Sequence, residues 1–155
     1  MTLYGTIEDI RLKIKERIED GFGSEINYVI VGRKTRSYKF DPPLVWVLPL
    51  EVPVNDSGMA LNEIWDLEFL IIGITRSVTD DEEARSKAEE IAIRASGMLM
   101  VDPSTGQQDR SLDGLIIDLT RTNWSPGDSR IVDTDESLYG SAVRVKLKFN
   151  NTEVE

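Results

Sequence analysis

The pattern of apolar and polar positions predicts its clearest helix over residues 79–99. Apolar residues recur there every three or four positions, the spacing that gathers them on one helix face. Thr79 followed by Glu82 fits a capping box, and acid-to-base pairs four residues apart occupy the other face. Half of the apolar face is alanine, so we expect this helix to lie close to a sheet. The face consists of Ala84, Ala88, Ile91, Ala92, Ala95, Met98 and Leu99.

A second helix is predicted over residues 6–20. Thr6 can cap its first turn, and Gly21 stands where a left-handed C-cap residue is expected. Its apolar stripe is narrow and the opposite face is strongly charged, which indicates a helix on the surface of a sheet. The stripe consists of Ile7, Ile10, Ile14 and Ile18.

Five segments have the content or alternation of strands: 26–32, 43–54, 62–77, 111–121 and 140–149. Residues 143–149 place valine, leucine and phenylalanine on one face and basic residues on the other, as expected for a sheet with one face in water. In 43–54, Pro43, Pro49 and Pro53 predict an edge strand, because proline cannot donate to a ladder. The core-facing residues of this strand are predicted to be Trp46, Leu48, Leu50, Val52 and Val54.

The predicted order of elements is α-β-β-β-α-β-β, without internal repeats. We therefore expect a single domain over residues 1–155 with an α+β fold, a two-layer sandwich of a mixed, mostly antiparallel sheet with two helices on one face. Residues 122–139 are predicted to form a long polar connection that contains Trp124.

Composition excludes several kinds of chemistry. The 155 residues include no cysteine and no histidine, which removes disulfides, thiolate nucleophiles, the usual zinc sites and histidine bases. No apolar run reaches the length of a membrane span and no signal peptide is recognisable, so we expect a soluble protein made in the cytoplasm. The net charge of -10 argues against a surface that grips nucleic acid, but suits a channel through which DNA slides.

Three acidic residues could lie together on the polar face of the sheet. One interpretation makes Asp66, Glu68 and Asp118 a metal or acid–base cluster of a small enzyme or ligand-binding domain. Alternatively they form cross-strand charge pairs, or contacts between subunits. The basic residues available on that face are Arg144, Lys146 and Lys148.

The remaining candidates are contact residues, with no catalytic, cofactor-binding or metal-binding residue among them. Arg33, Lys34 and Arg36 form a basic loop that either touches a partner or is simply solvated. Trp124, in a polar stretch, either folds onto its own domain or anchors a partner. The acidic run at 80–83 matches no calcium loop, and acids are expected where a helix begins.

The layout of residues 43–149 resembles the tail terminator (tail-completion) proteins of long-tailed bacteriophages and tailed archaeal viruses. The likeness is carried by the strand at 65–74, by DDEEARSKAEEIAIRA as its capped helix, by LDGLIIDL, by WSPGD, and by the closing strand YGSAVRVKLKF. It is a pattern of elements, and the family has no catalytic residues to transfer.

The resemblance implies a structural virion protein without cofactors. Such a protein forms a hexameric ring on the end of the tail tube nearest the head, stops tube growth and joins the tail to the neck. Its implied partners are copies of itself, the tail tube protein and a neck or connector protein, with DNA passing through the ring. Another connector, neck or tail-tube subunit is the alternative within the structural class.

Overall fold

A computed structural model describes residues 3–32, 41–51, 63–77, 80–130 and 138–151. Arg33, Lys34, Arg36, Pro53 and Thr79 lie outside these residues, as do Val52 and Val54. The elements follow the predicted order and confirm the α+β class. They are α1 (Leu3–Phe22), a 3₁₀ turn (Gly23–Glu25), β1 (Tyr28–Val31), β2 (Leu44–Pro49), β3 (Glu63–Arg76), α2 (Asp81–Met98), β4 (Asp118–Arg130) and β5 (Leu138–Asn151).

The five strands form one mixed sheet in the order β1-β2-β3-β5-β4. β1 and β2 are parallel, whereas the other three pairs are antiparallel, as the sequence predicted. β3 and β4 therefore run in the same direction with β5 between them. The longest pairing joins β3 to β5 over the full length of both strands, from Glu63 opposite Asn151 to Arg76 opposite Leu138.

Both helices cover one face of this sheet, which we call the helix face. Side chains of α1, α2 and alternate positions of the strands form a single buried cluster there. The predicted stripes of both helices and the inward residues of β5 are confirmed. The central members are Ile10, Ile14, Ile18, Ile91, Ala92, Ala95, Phe69, Ile71, Val143, Val145, Leu147 and Phe149.

α2 lies unusually close to β3 at Gly73. A Cβ atom built on Gly73 would stand 2.5 Å from the carbonyl oxygen of Ala88 and 2.8 Å from the backbone nitrogen of Ala92. The hydroxyl of Thr75 donates to the carbonyl of Ala84 at 2.6 Å, one turn further along. The close approach predicted from the alanine-rich face is confirmed, and it depends on a glycine in the facing strand.

The predicted cap residues of both helices were wrong, although α2 ends where predicted. The N-cap of α2 is Asp80, whose carboxylate accepts from the backbone N–H groups of Glu82 at 2.9 Å and Glu83 at 3.4 Å. α1 begins before Thr6 and continues through Gly21, and the glycine with left-handed backbone is Gly23, at φ +58°.

β2 is an internal strand between β1 and β3, so the predicted edge strand was wrong. Pro43 precedes the strand and Pro49 ends it, so neither proline interrupts the ladder. The predicted inward face was also wrong, because Val45 and Val47 join the core under the helices and Trp46 points to the other face.

The face of the sheet turned away from the helices, here called the far face, is apolar at one end. Leu44, Ile74 and Leu138 are fully buried there. Tyr28, Ile30, Trp46 and Ile72 pack against them. The prediction of a face wholly in water therefore holds only for the other end, where β3, β5 and β4 carry charged residues.

β4 differs most from its prediction. Residues 111–117 form turns, with Leu112 at φ 49° and Asp113 at φ 59°, and the strand begins at Asp118. It then continues through the predicted connection to Arg130. The register shifts between Arg121 and Asn123 and again between Ser125 and Ser129, irregularities of the kind that let a strand contain proline and glycine. Neither helix, within the part of the chain described, is long and apolar enough to cross a membrane.

Candidate interaction surface

The polar end of the far face brings the predicted charged residues into one array. Asp66 lies opposite Lys148, and Glu68 lies opposite Lys146, because β3 and β5 are antiparallel in this register. Asp118 of β4 also lies opposite Lys148, from the other side. We call these residues, together with Arg144, the charge ladder.

Three carboxylates of the charge ladder are held by three different cations. Arg144 Nε lies 2.9 Å from Glu68 Oε1, and Lys146 Nζ lies 3.6 Å from Asp66 Oδ2. Asp118 is paired instead with Arg110, at 3.0 Å, a partner that the sequence did not indicate. The interpretation as cross-strand charge pairs is confirmed for Asp66 and Glu68.

The acids do not converge on a common point, as an acid–base or metal site requires. In the described segments, no group of three or more acidic residues is placed to hold a metal ion. The acidic start of α2 likewise acts as a helix terminus, since Asp80 directs its carboxylate to two backbone N–H groups. The arrangement is suited to fixing strand register and presenting alternating charge to solvent or to a partner.

Removing one acid of the charge ladder should have a small effect on stability. Glu68→Gln and Asp66→Asn should each lower the free energy of unfolding by less than about 1 kcal/mol, because partly exposed cross-strand pairs contribute little. Urea denaturation of each variant beside the parent protein measures this. A gain in stability above about 1 kcal/mol would instead indicate that the carboxylates repel one another in a shared site.

Trp124 lies on β4, at the edge of the sheet, and not in a loop. It is opposite Val143, whose side chain faces the helices, so Trp124 belongs to the helix face. Half of its surface (50%) remains exposed. Arg121, opposite Val145, is also exposed on that face. Of the two predicted alternatives for Trp124, the anchor for a partner is the one that this exposure favours.

The beginning of β4 is protected at its outer edge. Arg110 donates to the carbonyl oxygen of Leu119 from Nε at 3.1 Å and from Nη2 at 2.7 Å. The same guanidinium forms the ion pair with Asp118. Arg110 therefore occupies a backbone acceptor that an added strand would otherwise use, a common way of blunting a sheet edge.

The predicted contact residues fall into three places. Arg144, Lys146 and Lys148 share the far face, whereas Trp124 lies at the β4 edge on the helix face. Lys148 is exposed and forms no ion pair with any residue that the structure describes. The basic loop with Arg33, Lys34 and Arg36 lies outside the described residues.

The sequence analysis did not identify Arg17, an arginine on the core-facing side of α1 that is buried in the structure. Arg17 is 2% exposed and donates to the carbonyl oxygens of Leu99 at 3.0 Å and Asp109 at 3.2 Å. It also forms ion pairs with the carboxylates of Asp109 at 2.5 Å and Asp113 at 3.1 Å. The signal was available, because Arg17 stands seven residues after Ile10 and three after Ile14, on the apolar stripe of the helix.

The carboxylate of Asp109 is stabilised in its charged form. The hydroxyl of Ser111 hydrogen-bonds to it, Arg17 donates to it, and the backbone N–H of Ser111 donates as well; these contacts hold the pKa of Asp109 well below its usual range. Beside it, the hydrogen bond to Asp113 raises the pKa of Lys13. The cluster joins α1 to the turns between α2 and β4, and its charges are used within the fold.

Comparison with known protein families and with curated proteins finds no match to this chain.

Proposed function

We propose that this chain is a structural subunit of a viral tail, a tail terminator that closes with copies of itself into a ring around a passage for DNA. In this proposal the ring, of about six subunits, caps the end of the tail tube nearest the head and joins it to the neck. The protein acts by shape and surface complementarity, without chemistry at a reactive side chain.

One observation carries the proposal. The WSPGD segment, part of the resemblance to the tail terminators, lies in the edge strand β4 and leaves Trp124 half exposed. Tryptophan is among the residues that contribute most to binding energy when a partner covers them. A large aromatic side chain on an uncovered strand edge is expected of a protein that functions in an assembly.

The charge ladder supports a structural role over a small enzyme. The enzymatic alternative depended on Asp66, Glu68 and Asp118, and each of these acids is engaged by its own cation. Because Asp66 and Glu68 are ion-paired to β5 and Asp118 to Arg110, none of the three is an unpaired acid or base.

The acidic character of the chain fits a passage for DNA. At a net charge of -10, a ring of these subunits would repel the phosphate backbone and let DNA slide without adhering. The same charge opposes association of the subunits. We therefore expect the contacts between subunits to depend on apolar and backbone interactions, and to strengthen as salt screens the repulsion.

The mass of the purified protein in solution tests the proposal. Light scattering over a range of concentrations should find one closed species of about six subunits. The fraction of protein in this species should rise from 0.05 M to 0.5 M sodium chloride, because the screening length shortens severalfold. Adding tail tube protein should bring this species to tube ends. A monomer at high concentration, even with tube protein present, would refute the proposal, and unlimited growth of the protein alone would indicate a tube subunit.

A further inference from the structure

The sheet ends in two unlike edges. Of the strands described, only β1 and β4 have a neighbour on one side alone. β1 is short and apolar, with four residues, whereas β4 has thirteen. The protection that Arg110 gives to β4 stops at Leu119, so the open part of this edge is residues 120–125.

The open part of β4 carries two side chains typical of protein interfaces. Arg121 and Trp124 are both exposed and lie on the helix face, opposite Val145 and Val143. Arg121 has no ion pair with any other residue in the described ranges. Arginine and tryptophan are enriched at the centres of interfaces, where covering them removes water from large surfaces.

We propose that residues 120–125 of β4 pair with β1 of a neighbouring copy of this chain, so that the sheet continues from subunit to subunit. This inference rests on the proposed ring and names the contact that would close it. A ring needs two different, mutually complementary surfaces on every subunit, and the two edges of one sheet are such surfaces.

The direction of the strands favours this pairing. β1 and β2 run together, and each later step across the sheet reverses direction, so β4 runs opposite to β1. Rotation about an axis parallel to the strands preserves strand direction and brings β1 of the next copy beside β4 in antiparallel orientation. Three of the four pairs within the subunit are of this type.

The side chains also match across such a junction. Val29 and Val31 of β1 belong to the helix-face core or pack against it, and the side chain of Val31 is only partly buried. In a continuous sheet they would lie on the same side as Trp124, because successive residues alternate between faces. Trp124 would then cover the partly exposed valine of the neighbour, extending one apolar layer across the junction.

Site-directed cross-linking tests the junction, since the chain has no cysteine of its own. Asn123 and Ile30 belong to the far faces of β4 and β1, and side chains that face one another across paired strands lie about 5 Å apart, or about 7–8 Å on the diagonal. The double variant N123C/I30C, treated with a short bismaleimide, should give a ladder of covalent oligomers on a denaturing gel. The pair N123C/S86C, with Ser86 exposed on α2, is the matched control and should give none.

A second variant tests the contribution of Trp124. Trp124→Ala should raise the concentration at half-assembly at least about tenfold, with an unchanged circular dichroism spectrum, because an interface anchor is lost. Ile93→Ala, which removes another exposed apolar side chain, should leave assembly unchanged.

The outcomes separate this inference from the proposed function. If unmodified protein forms rings but the N123C/I30C variant yields no ladder, the ring stands and the β4–β1 contact is wrong. If N123C alone gives covalent dimers, the β4 edges pair with each other, which also overturns the inference. If the unmodified protein forms no ring and N123C/I30C gives no ladder, both the proposed function and the junction are overturned. A ladder without closed rings would support the junction and refute the ring.

Discussion

Gly73→Val should lower the free energy of unfolding by about 3 kcal/mol or more. The added side chain would meet the backbone of α2, since the Cβ position is already 2.5 Å from the Ala88 carbonyl oxygen. A backbone atom cannot rotate away as a flexible side chain does, so α2 must move off the sheet and open the core. Overfilling a packed core commonly lowers the free energy of unfolding by about 1–3 kcal/mol. The loss from displacing a whole helix should lie at or beyond the upper end of that range.

Gly97→Ala provides the matched control for Gly73. Gly97 lies in α2, the helix that packs against Gly73, and a Cβ atom there would meet nothing within 4 Å. The change should be neutral or stabilising by up to about 1 kcal/mol, because alanine favours helix more than glycine does. Urea denaturation of the three proteins, followed by circular dichroism, measures both effects. Equal stability of Gly73→Val and the parent would contradict the close approach of α2 and β3.

Arg17→Met should be the other strongly destabilising change, at about 3 kcal/mol. It leaves the carbonyl oxygens of Leu99 and Asp109 without their donor and removes the cation from the carboxylate of Asp109. Breaking a buried ion pair from one side costs about 3–5 kcal/mol. The lower end applies here, because Asp109 keeps its bonds from Ser111.

Lys15→Met is the control for Arg17, on the same helix. Its ion pair with Glu19 spans 3.8 Å between side chains that are each nearly half exposed, so the change should lie within about 0.5 kcal/mol of the parent. Thermal or urea unfolding of both variants at pH 7 measures the difference. A loss below 1 kcal/mol for Arg17→Met would contradict the role assigned to the buried cluster.

The stability difference between the parent protein and Arg17→Met should depend on pH. The folded pKa of Asp109 is lowered, so its contribution to stability is fully present above the ordinary value of 3.8 and is lost as pH falls through the lower folded value. The difference in free energy of unfolding between the parent and Arg17→Met, measured by urea denaturation, should therefore stay constant from pH 5 to pH 8. It should become smaller below about pH 4.

The elements that sequence predicted well are those whose two faces differ. α2 has alanines on one side and charges on the other, and β5 alternates valine, leucine and phenylalanine with basic residues. In both, the contrast between faces is wide enough to fix the element type and the inward side.

The elements predicted poorly are those in which the contrast is missing or misleading. β2 has neighbours on both edges and contributes to apolar clusters on both faces, so it offers no alternation, and its prolines mark the ends of the strand. β4 contains Pro126 and Gly127, which are typical of a turn, yet the pairing with β5 continues past them through two register shifts. Tertiary pairing overrides local preference there.

The charge ladder could be predicted only in part, because alternation along a strand gives the face of a side chain but not every partner. Alternation placed Glu68 and Arg144 on one face, and the register of β3 and β5 then made them partners. Arg110 could not be predicted as the partner of Asp118, because its position depends on the path of the turns before β4. Arg17 was a polar residue on an apolar stripe, a signal that identifies a buried charge but not its partners.

Electron microscopy of the purified protein is the most direct test of the claim that this chain encloses a passage by joining copies of itself. We expect discrete rings with a central opening, uniform in subunit number and no thicker than one layer. Separate globular particles in every field, at concentrations and salt where rings should form, would contradict it.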